Sequence, residues 1–549
     1  MSRPTTMARS GMVVTPHYLA SQAGIDVLQR GGNAIEAAIA AAATVAVVYP
    51  HANSIGGDNF WLIYNASDGA VSAINASGRS GSLASVDYYR SRGLDRIPAR
   101  GYLAANTVPG AVSGWEAAFK YSLKNLRPQP GGIAWKELLR PAIDYAADGF
   151  PVSRHQADRS LIDFNAEDKS FGILHRFEEC RRIFCNAAGK PWRCGDIILQ
   201  TDLARILDLI AEKGAREFYQ GEVARSIVSD MEAHDGTLTL DDFHSHEANW
   251  VEPISVKYRG YQAYNLPPNT QGMAALGCLN ILNNFDLSRM HDGTADYYHL
   301  MAEVTKAAFA ERDRWVTDPD FFDIPLERIL SKDYGQTQAN RIRESDRSTP
   351  SASTISGGDT VWIGVVDREG NAVSLIQSIC DGFGSGVVPK GTGIVMQNRG
   401  KFFGLDDSSP NRLVPRKRTL HTLIAGMLLK EGKPSLVYGT MGGEGQPQTQ
   451  TALVTRIVDF GYTPQEAIEA PRWLQGRFLD LTQPATQLHL EGRVQDSVVT
   501  ELRRRGHSVS MTTDYSDMMG HAGAIFIDPS TLVLHGGADP RGDGSAVGF

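Results

Sequence analysis

Gly357-Gly358-Asp359-Thr360-Val361-Trp362-Ile363-Gly364-Val365-Val366-Asp367-Arg368-Glu369-Gly370-Asn371-Ala372-Val373-Ser374-Leu375-Ile376-Gln377-Ser378-Ile379 is the stretch on which the fold turns. Two β-rich runs flank Asp367-Arg368-Glu369-Gly370-Asn371, whose Asp, Gly and Asn suit a tight hairpin turn. The first run starts abruptly at Thr360, behind a polar Ser/Thr/Gly leader from Ser351 to Gly358. Cleavage of the Asp359–Thr360 bond would give Thr360 a free amine beside its hydroxyl. An α-amine titrates near about 7.7–8.0 and can serve as the local general base for that hydroxyl. An ordinary hairpin that happens to begin with threonine is the competing reading, and this stretch alone does not separate the two.

The chain before it is ordered for packing around a sheet. Apolar positions recur at helical spacing from Pro16 to Arg30, Gly31-Gly32 stops that helix, and Asn33 can cap an Ala-rich helix from Ala34 to Val48. Gly56-Gly57 precedes a strand, Phe60 to Tyr64, with a hairpin partner from Ala70 to Asn75 and then Arg79 on a Gly/Ser loop. Residues 100–350 read as mainly helical, with one strand from Ile254 to Tyr264. His244-Ser245-His246-Glu247 reads as a solvated loop, since it lacks the helical His-Glu-x-x-His arrangement of a zinc site.

After Thr360 the pattern changes to strands and tight turns. The strand Ser435 to Tyr438 runs into Gly439-Thr440-Met441-Gly442-Gly443-Glu444-Gly445-Gln446-Pro447, and a helix follows from Gln450 to Phe460. Strand, glycine loop and helix N-terminus together suit an anion or oxyanion pocket. The loop lacks the Lys-Ser/Thr ending of a phosphate-binding P-loop, which ranks nucleotide binding low.

Composition narrows the function. A net charge of −8 without long basic blocks argues against a nucleic-acid partner. Five cysteines, Cys180, Cys185, Cys194, Cys278 and Cys380, are too few and too irregular for a disulfide framework. The longest apolar run, Ala34 to Val48, carries Glu36 and is too short to span a membrane. With no secretory-type apolar segment in Met1 to Ser10, a cytoplasmic location is expected. No metal, nucleotide or organic cofactor is expected.

These residues resemble the gamma-glutamyltransferase family of N-terminal nucleophile hydrolases. The resemblance runs from Gly11-Met12-Val13-Val14 to Asp539-Pro540-Arg541. Its most specific parts are Gly31-Gly32-Asn33-Ala34, Val108-Pro109-Gly110, Pro267-Pro268, the Thr360 hairpin with Asp367, and Gly439-Thr440-Met441-Gly442-Gly443. It implies a four-layer αββα sandwich and self-cleavage into a large chain, 1–359, and a small chain, 360–549, that stay associated as one unit. It also implies that Thr360 is the nucleophile, that Ser378 stands where a second threonine holds the nucleophile's amine, and that Gly442 and Gly443 donate to the oxyanion.

The same resemblance assigns substrate binding. Arg79 matches an arginine that grips a carboxylate, and His421 and Thr422 match its serine pair. Arg79 could instead pair with a structural Asp, and His421 could be a hydrogen-bonded core residue. The family's ammonium-binding Asn and Asp fall on Cys380 and on Phe402 (or, one residue shifted, Lys401), none of which can hold an ammonium. This implies an amidohydrolase for a small carboxylate-bearing amide without the glutamyl amino group. The segment Arg418-Thr419-Leu420-His421-Thr422-Leu423 resembles the divergent bacterial branch that includes oxamate amidohydrolases. A glutathione hydrolase or transpeptidase, a glutaryl-type cephalosporin acylase, and a non-catalytic binding module remain open at this point. So does assembly into a higher oligomer.

Overall fold

The computed structural model describes residues 3–126, 132–166, 172–344, 354–355, 359–478 and 487–549, with only the backbone at 354–355 and 477–478. Most of the Ser351–Gly358 leader therefore lies outside the described residues.

Two seven-stranded antiparallel sheets form the centre. In spatial order the first holds Ser545–Gly548, Met12–Thr15, Asp359–Val366, Ala372–Cys380, Asp58–Tyr64, Val71–Ala76 and Asn249–Val251. The second holds Thr6–Ala8, Leu534–Ala538, Ala522–Ile527, Lys433–Thr440, Ala425–Lys430, Tyr261–Asn265 and Ile254–Tyr258. Thr360 thus heads a central strand, and its hairpin partner carries Ser378.

Side chains alternate across a strand, so each sheet has two faces to bury. On the Asp359–Val366 strand, Val361, Ile363 and Val365 pack with Trp61 and Ile63 against helix Ala34–Val48. Trp362 and Val366 point the other way and meet Leu423, Met427, Val437 and Ile525 between the sheets. The far face of the second sheet, through Leu428, Leu436 and Tyr438, packs on helices Gly272–Leu282, Ala295–Trp315 and Gln446–Val454. Helix, sheet, sheet and helix make the expected four-layer αββα sandwich. With both faces covered, the two hairpin strands are buried along their whole length.

The hairpin turn also fixes the neighbouring helix. Asp367 accepts from Asn371 N–H at 2.9 Å and from Ala34 N–H at 3.0 Å, the first residue of the Ala-rich helix. Asn33 caps the same helix through a capping box with Glu36. The expected single strand from Ile254 to Tyr264 is instead a hairpin. Arg259 and Gly260, at φ 48° and 84°, take the left-handed conformation its turn requires. The helix expected from Gln450 starts at Gln446, directly on the glycine loop.

Candidate active site

Thr360 is 1% exposed. Its hydroxyl donates to Ser378 Oγ at 3.1 Å, and the Ser378 hydroxyl donates to the Asp359 carbonyl oxygen at 2.7 Å. That carbonyl belongs to the Asp359–Thr360 peptide bond. The hydroxyl, its neighbour and the adjoining carbonyl therefore form one hydrogen-bonded chain. Strand register explains the closeness. Asp359 pairs with Cys380 but Val361 pairs with Gln377, so Ser378 and Ile379 together stand opposite Thr360. A bulge of this kind re-aims a side chain locally. Gly57 supports it from the next strand, since a Cβ there would lie 2.2 Å from the Ser378 carbonyl oxygen.

Ser378 Oγ receives two further donors, Cys380 N–H at 2.8 Å and Arg399 Nη2 at 3.4 Å. Arg399 also donates through Nη1 to Thr422 Oγ1 at 2.8 Å. Sequence reasoning missed Arg399, because an arginine between Asn398 and Gly400 reads as a solvated charge. It is 1% exposed. Arg159 was missed for the same reason. It bridges the Asp359 carboxylate at 3.3 Å and Asp517 at 3.2 Å, and so fixes the residue on the N-terminal side of Thr360.

Gly442 and Gly443, at φ 132° and 54°, turn the chain from the Lys433–Thr440 strand into helix Gln446–Val454. Gly445 N–H on the Gly442 carbonyl closes this turn at 2.9 Å, leaving the Gly442 and Gly443 N–H groups outside its hydrogen bonds. Gln271 ties the turn to the site, donating to the carbonyls of Thr422 at 2.8 Å and Gly443 at 3.0 Å. A continuous set of contacts thus runs from the glycine turn through Gln271, Thr422, Arg399 and Ser378 to Thr360.

Arg79 and His421 have the partners of the structural alternative left open for each. The Arg79 guanidinium pairs with Asp318 at 3.0 Å and Asp320 at 2.6 Å, and reaches the Arg416 carbonyl at 3.1 Å. It lines a cavity of about 210 Å³ with His246, Arg416 and Arg418, whose lining does not include Thr360. His421 is fully buried, with Nε2 3.1 Å from Asp58 and Nδ1 accepting from Leu423 N–H at 3.3 Å. Burial, and then the Arg399 charge, push its pKa down to about 3, so the ring is neutral. Both ring nitrogens are used in holding the Arg418–Leu423 segment. Thr422 alone of the three expected binding residues joins the Thr360 cluster.

At the positions to which the resemblance assigns ammonium binding stand a buried thiol, an aromatic ring and a paired lysine. Cys380 is buried, and burial raises its thiol to about 11. Phe402 presents its ring to Arg399 and Lys401, each with its charge 5.5 Å from the ring centre. The Lys401 ammonium is held on Asp381 at 2.5 Å. Burial works against the Asp381 charge, but Lys401 and Arg100 hold its pKa at about 2. No free carboxylate stands at these positions.

Two groups of side chains among the described residues have metal-ligand spacing, His155 with Asp517 and His521, and His299 with Glu303 and His507. Each already contains a cation. Arg159 pairs with Asp517, and Lys306 pairs with Glu303 at 2.6 Å.

Two sheets between helical layers, with a threonine at the head of a central strand, make up the architecture of the N-terminal nucleophile hydrolases. Residues 20–549 match the model of the family described as gamma-glutamyltranspeptidase. The glutathione hydrolase-like YwrD proenzyme of Bacillus subtilis is 46% identical over 538 residues, covering 98% of each chain. The oxamate amidohydrolase proenzyme of Klebsiella pneumoniae is 42% identical over 548 residues, covering 99% of each. A solved cephalosporin acylase from Bacillus halodurans superposes with a TM-score of 0.90 at 35% identity, covering 100% of this chain and 97% of that one. The chain belongs to the gamma-glutamyltranspeptidase family, and it is an amide hydrolase. Among the described residues no helix is long and apolar enough to cross a membrane.

Proposed function

We propose that this chain is a proenzyme that cleaves itself before Thr360 and then hydrolyses a small carboxylate-bearing amide of the oxamate type. The observation that carries the reading is the chain from Thr360 Oγ1 through Ser378 Oγ to the Asp359 carbonyl. In self-cleavage the Thr360 oxygen attacks the Asp359 carbonyl carbon while Ser378 donates to the carbonyl oxygen, where negative charge develops. The Thr360 hydroxyl proton passes to the peptide nitrogen as the C–N bond breaks, leaving an ester on Thr360 Oγ1 and a free Thr360 amine. Water hydrolyses the ester, giving a carboxylate on Asp359 and restoring the hydroxyl. Chains 1–359 and 360–549 remain associated through the shared sheets.

In turnover the Thr360 amine takes the hydroxyl proton as the oxygen attacks the substrate amide, and delivers it to the leaving ammonia; water, deprotonated by the same amine, then hydrolyses the acyl ester on Thr360 Oγ1, releasing the acid and restoring the hydroxyl. The Gly442 and Gly443 N–H groups donate to the oxyanion; removing one such donor costs roughly 10²–10³ in rate. A substrate with a carboxylate and no ammonium fits the surroundings of Cys380 and Phe402. An unpaired ammonium buried there, beside Arg399, would cost several kcal/mol. Thr422 contributes to carboxylate binding, and the roles of Arg79 and His421 are to hold the loops around the site. The five free thiols suit a reducing compartment, which supports a cytoplasmic location.

Denaturing electrophoresis with N-terminal sequencing tests the first half of the proposal. The expected result is two fragments, the smaller beginning at Thr360, and a Thr360→Ala variant that stays intact. Ammonia release from oxamate beside turnover of a γ-glutamyl anilide tests the second half. Rapid turnover of the anilide with inert oxamate would return the chain to the glutathione hydrolases, and a wild-type protein that stays intact and inactive would make it a binding module.

A further inference from the structure

Among the described residues, Arg399 is a buried cation without an anion. Its guanidinium meets only two hydroxyls, Thr422 Oγ1 and Ser378 Oγ, and its Nε has no partner among the described residues. It makes no ion pair there, although several carboxylates lie in this part of the structure. Asp58 is committed to His421, to the N–H groups of Gly78 and Gly110 at 3.1 Å, and to Gln397 at 2.9 Å. Asp381 is held by Lys401, Asp359 by Arg159, and Glu444 by Arg312. Burying a guanidinium unpaired is costly, and an arrangement that keeps one beside a nucleophile is built for an anion that arrives.

We propose that Arg399, rather than Arg79, is the residue that receives the substrate's carboxylate, and that it sets a short limit on the acid. The inference rests on the amidohydrolase reading above. Hydrogen bonds of 3.1 and 3.4 Å meeting at Ser378 Oγ put Arg399 Nη2 no more than about 6.5 Å from Thr360 Oγ1. A charge-assisted N–H···O contact spans about 2.8 Å, and an attacking oxygen sits about 3–3.5 Å from its carbon. When the carboxyl and amide carbons are directly bonded, carboxylate oxygen and amide carbon are about 2.4 Å apart. A slightly bent two-carbon acid amide therefore bridges Arg399 and Thr360. A glutaryl chain places three more carbons in that gap and must fold back on itself to fit.

Thr422 completes the site. Its oxygen accepts from Arg399, so its own hydrogen is available to the same carboxylate. The Phe402 ring stands 5.5 Å from the same guanidinium.

The experiment compares oxamate with oxamide, in which a neutral amide replaces the carboxylate. In Arg399→Gln the kcat/KM ratio for oxamate over oxamide should fall by about 100-fold or more. In Arg79→Gln that ratio should be kept. Oxalate should raise the Tm of the processed wild type and of Arg79→Gln, but not of Arg399→Gln. If Arg399→Gln stays unprocessed, Arg399→Lys decides, because it keeps the charge and loses the two-pronged grip. It should then lower the ratio and weaken the oxalate shift by about tenfold in concentration.

Retention of the ratio in the processed Arg399 variant, or its collapse in Arg79→Gln, overturns the assignment while leaving the amidohydrolase reading intact. Wild type that ignores oxamate yet loses its oxalate shift in the Arg399 variant overturns the activity and keeps the anion site. No oxalate shift in wild type would overturn the site and give Arg399 to the new α-carboxylate of Asp359.

Discussion

Replacing Ser378 by alanine isolates the step that makes the enzyme. Four contacts are lost at once: the bond from Thr360 at 3.1 Å, the bond from Cys380 N–H at 2.8 Å, the bond from Arg399 Nη2 at 3.4 Å, and the donation to the Asp359 carbonyl at 2.7 Å. Only the last acts on the atom where charge develops during self-cleavage. Loss of one such donor is worth about 2.7–4 kcal/mol, or roughly 10²–10³ in rate. The orphaned Cys380 N–H adds about 1–3 kcal/mol of lost stability, which a cooperatively folded chain of this size tolerates. The expected outcome is a folded Ser378→Ala precursor that converts on denaturing gels at least about 100-fold more slowly than wild type. Ser378→Thr keeps the hydroxyl and should convert within about tenfold of wild type. Equal conversion rates for Ser378→Ala and wild type would refute the relay from Thr360 to the scissile carbonyl.

Three further outcomes follow from the same contacts. Gly442→Ala forces a Cβ into φ 132°, a backbone region L side chains rarely adopt, and should cut amide turnover by about 100-fold or more while leaving an intact far-ultraviolet circular dichroism spectrum. His421 is neutral in the fold with its pKa at about 3, so the unfolded chain binds the extra proton below about pH 6.5. Its share of stability is therefore full above that pH and falls by about 1.4 kcal/mol per unit of acidification until the pH nears 3. Urea midpoints of wild type and His421→Gln should converge between pH 7 and 5. Phe402→Asp sets a carboxylate beside Arg399 and should weaken oxamate turnover by about tenfold or more, read as a raised KM in ammonia release.

Much of this was legible in the chain because local rules and tertiary demands agree. The Asp367–Asn371 turn, the Asn33 cap and the glycine loop each need particular residue types at particular places, so the residues announce them. The Thr360 hairpin follows from the same logic. Arg399, Arg159 and the partners of Arg79 were not legible, since burial of a charge depends on what distant segments bring to it. Arg159 meets Asp517 from the far end of the chain, and Arg79 meets Asp318 and Asp320 across more than two hundred residues. The Arg259-Gly260 turn was hidden for a different reason. The alternating pattern on both sides of it continues without a break, and the reversal is made by the left-handed pair Arg259 and Gly260.

The position of Arg399 also connects the two reactions that Thr360 is asked to perform. A cation that donates toward Ser378 Oγ polarises the Ser378 O–H bond and strengthens its donation to the Asp359 carbonyl. Before cleavage the guanidinium thus acts at one remove, through a hydroxyl. On the proposed reading, the Asp359 carbonyl becomes a carboxylate after cleavage, and once that end withdraws the same guanidinium would face the substrate directly. An indirect effect through a 3.4 Å contact is weaker than a direct ion pair. Loss of the Arg399 charge should therefore slow processing less than loss of Ser378 does, and harm oxamate binding more than processing. A family pocket built for a zwitterion needs both signs of charge beside the nucleophile. If Cys380 and Phe402 stand at the ammonium positions, as the resemblance implies, the proposal leaves a thiol and a phenyl ring in place of the negative half and sets Arg399 one hydroxyl away from the attacking oxygen. On the proposed reading the neighbouring carboxylates are already paired and Arg399 is the charge left to recognise substrate, which suits a single short anion held close to the bond that breaks.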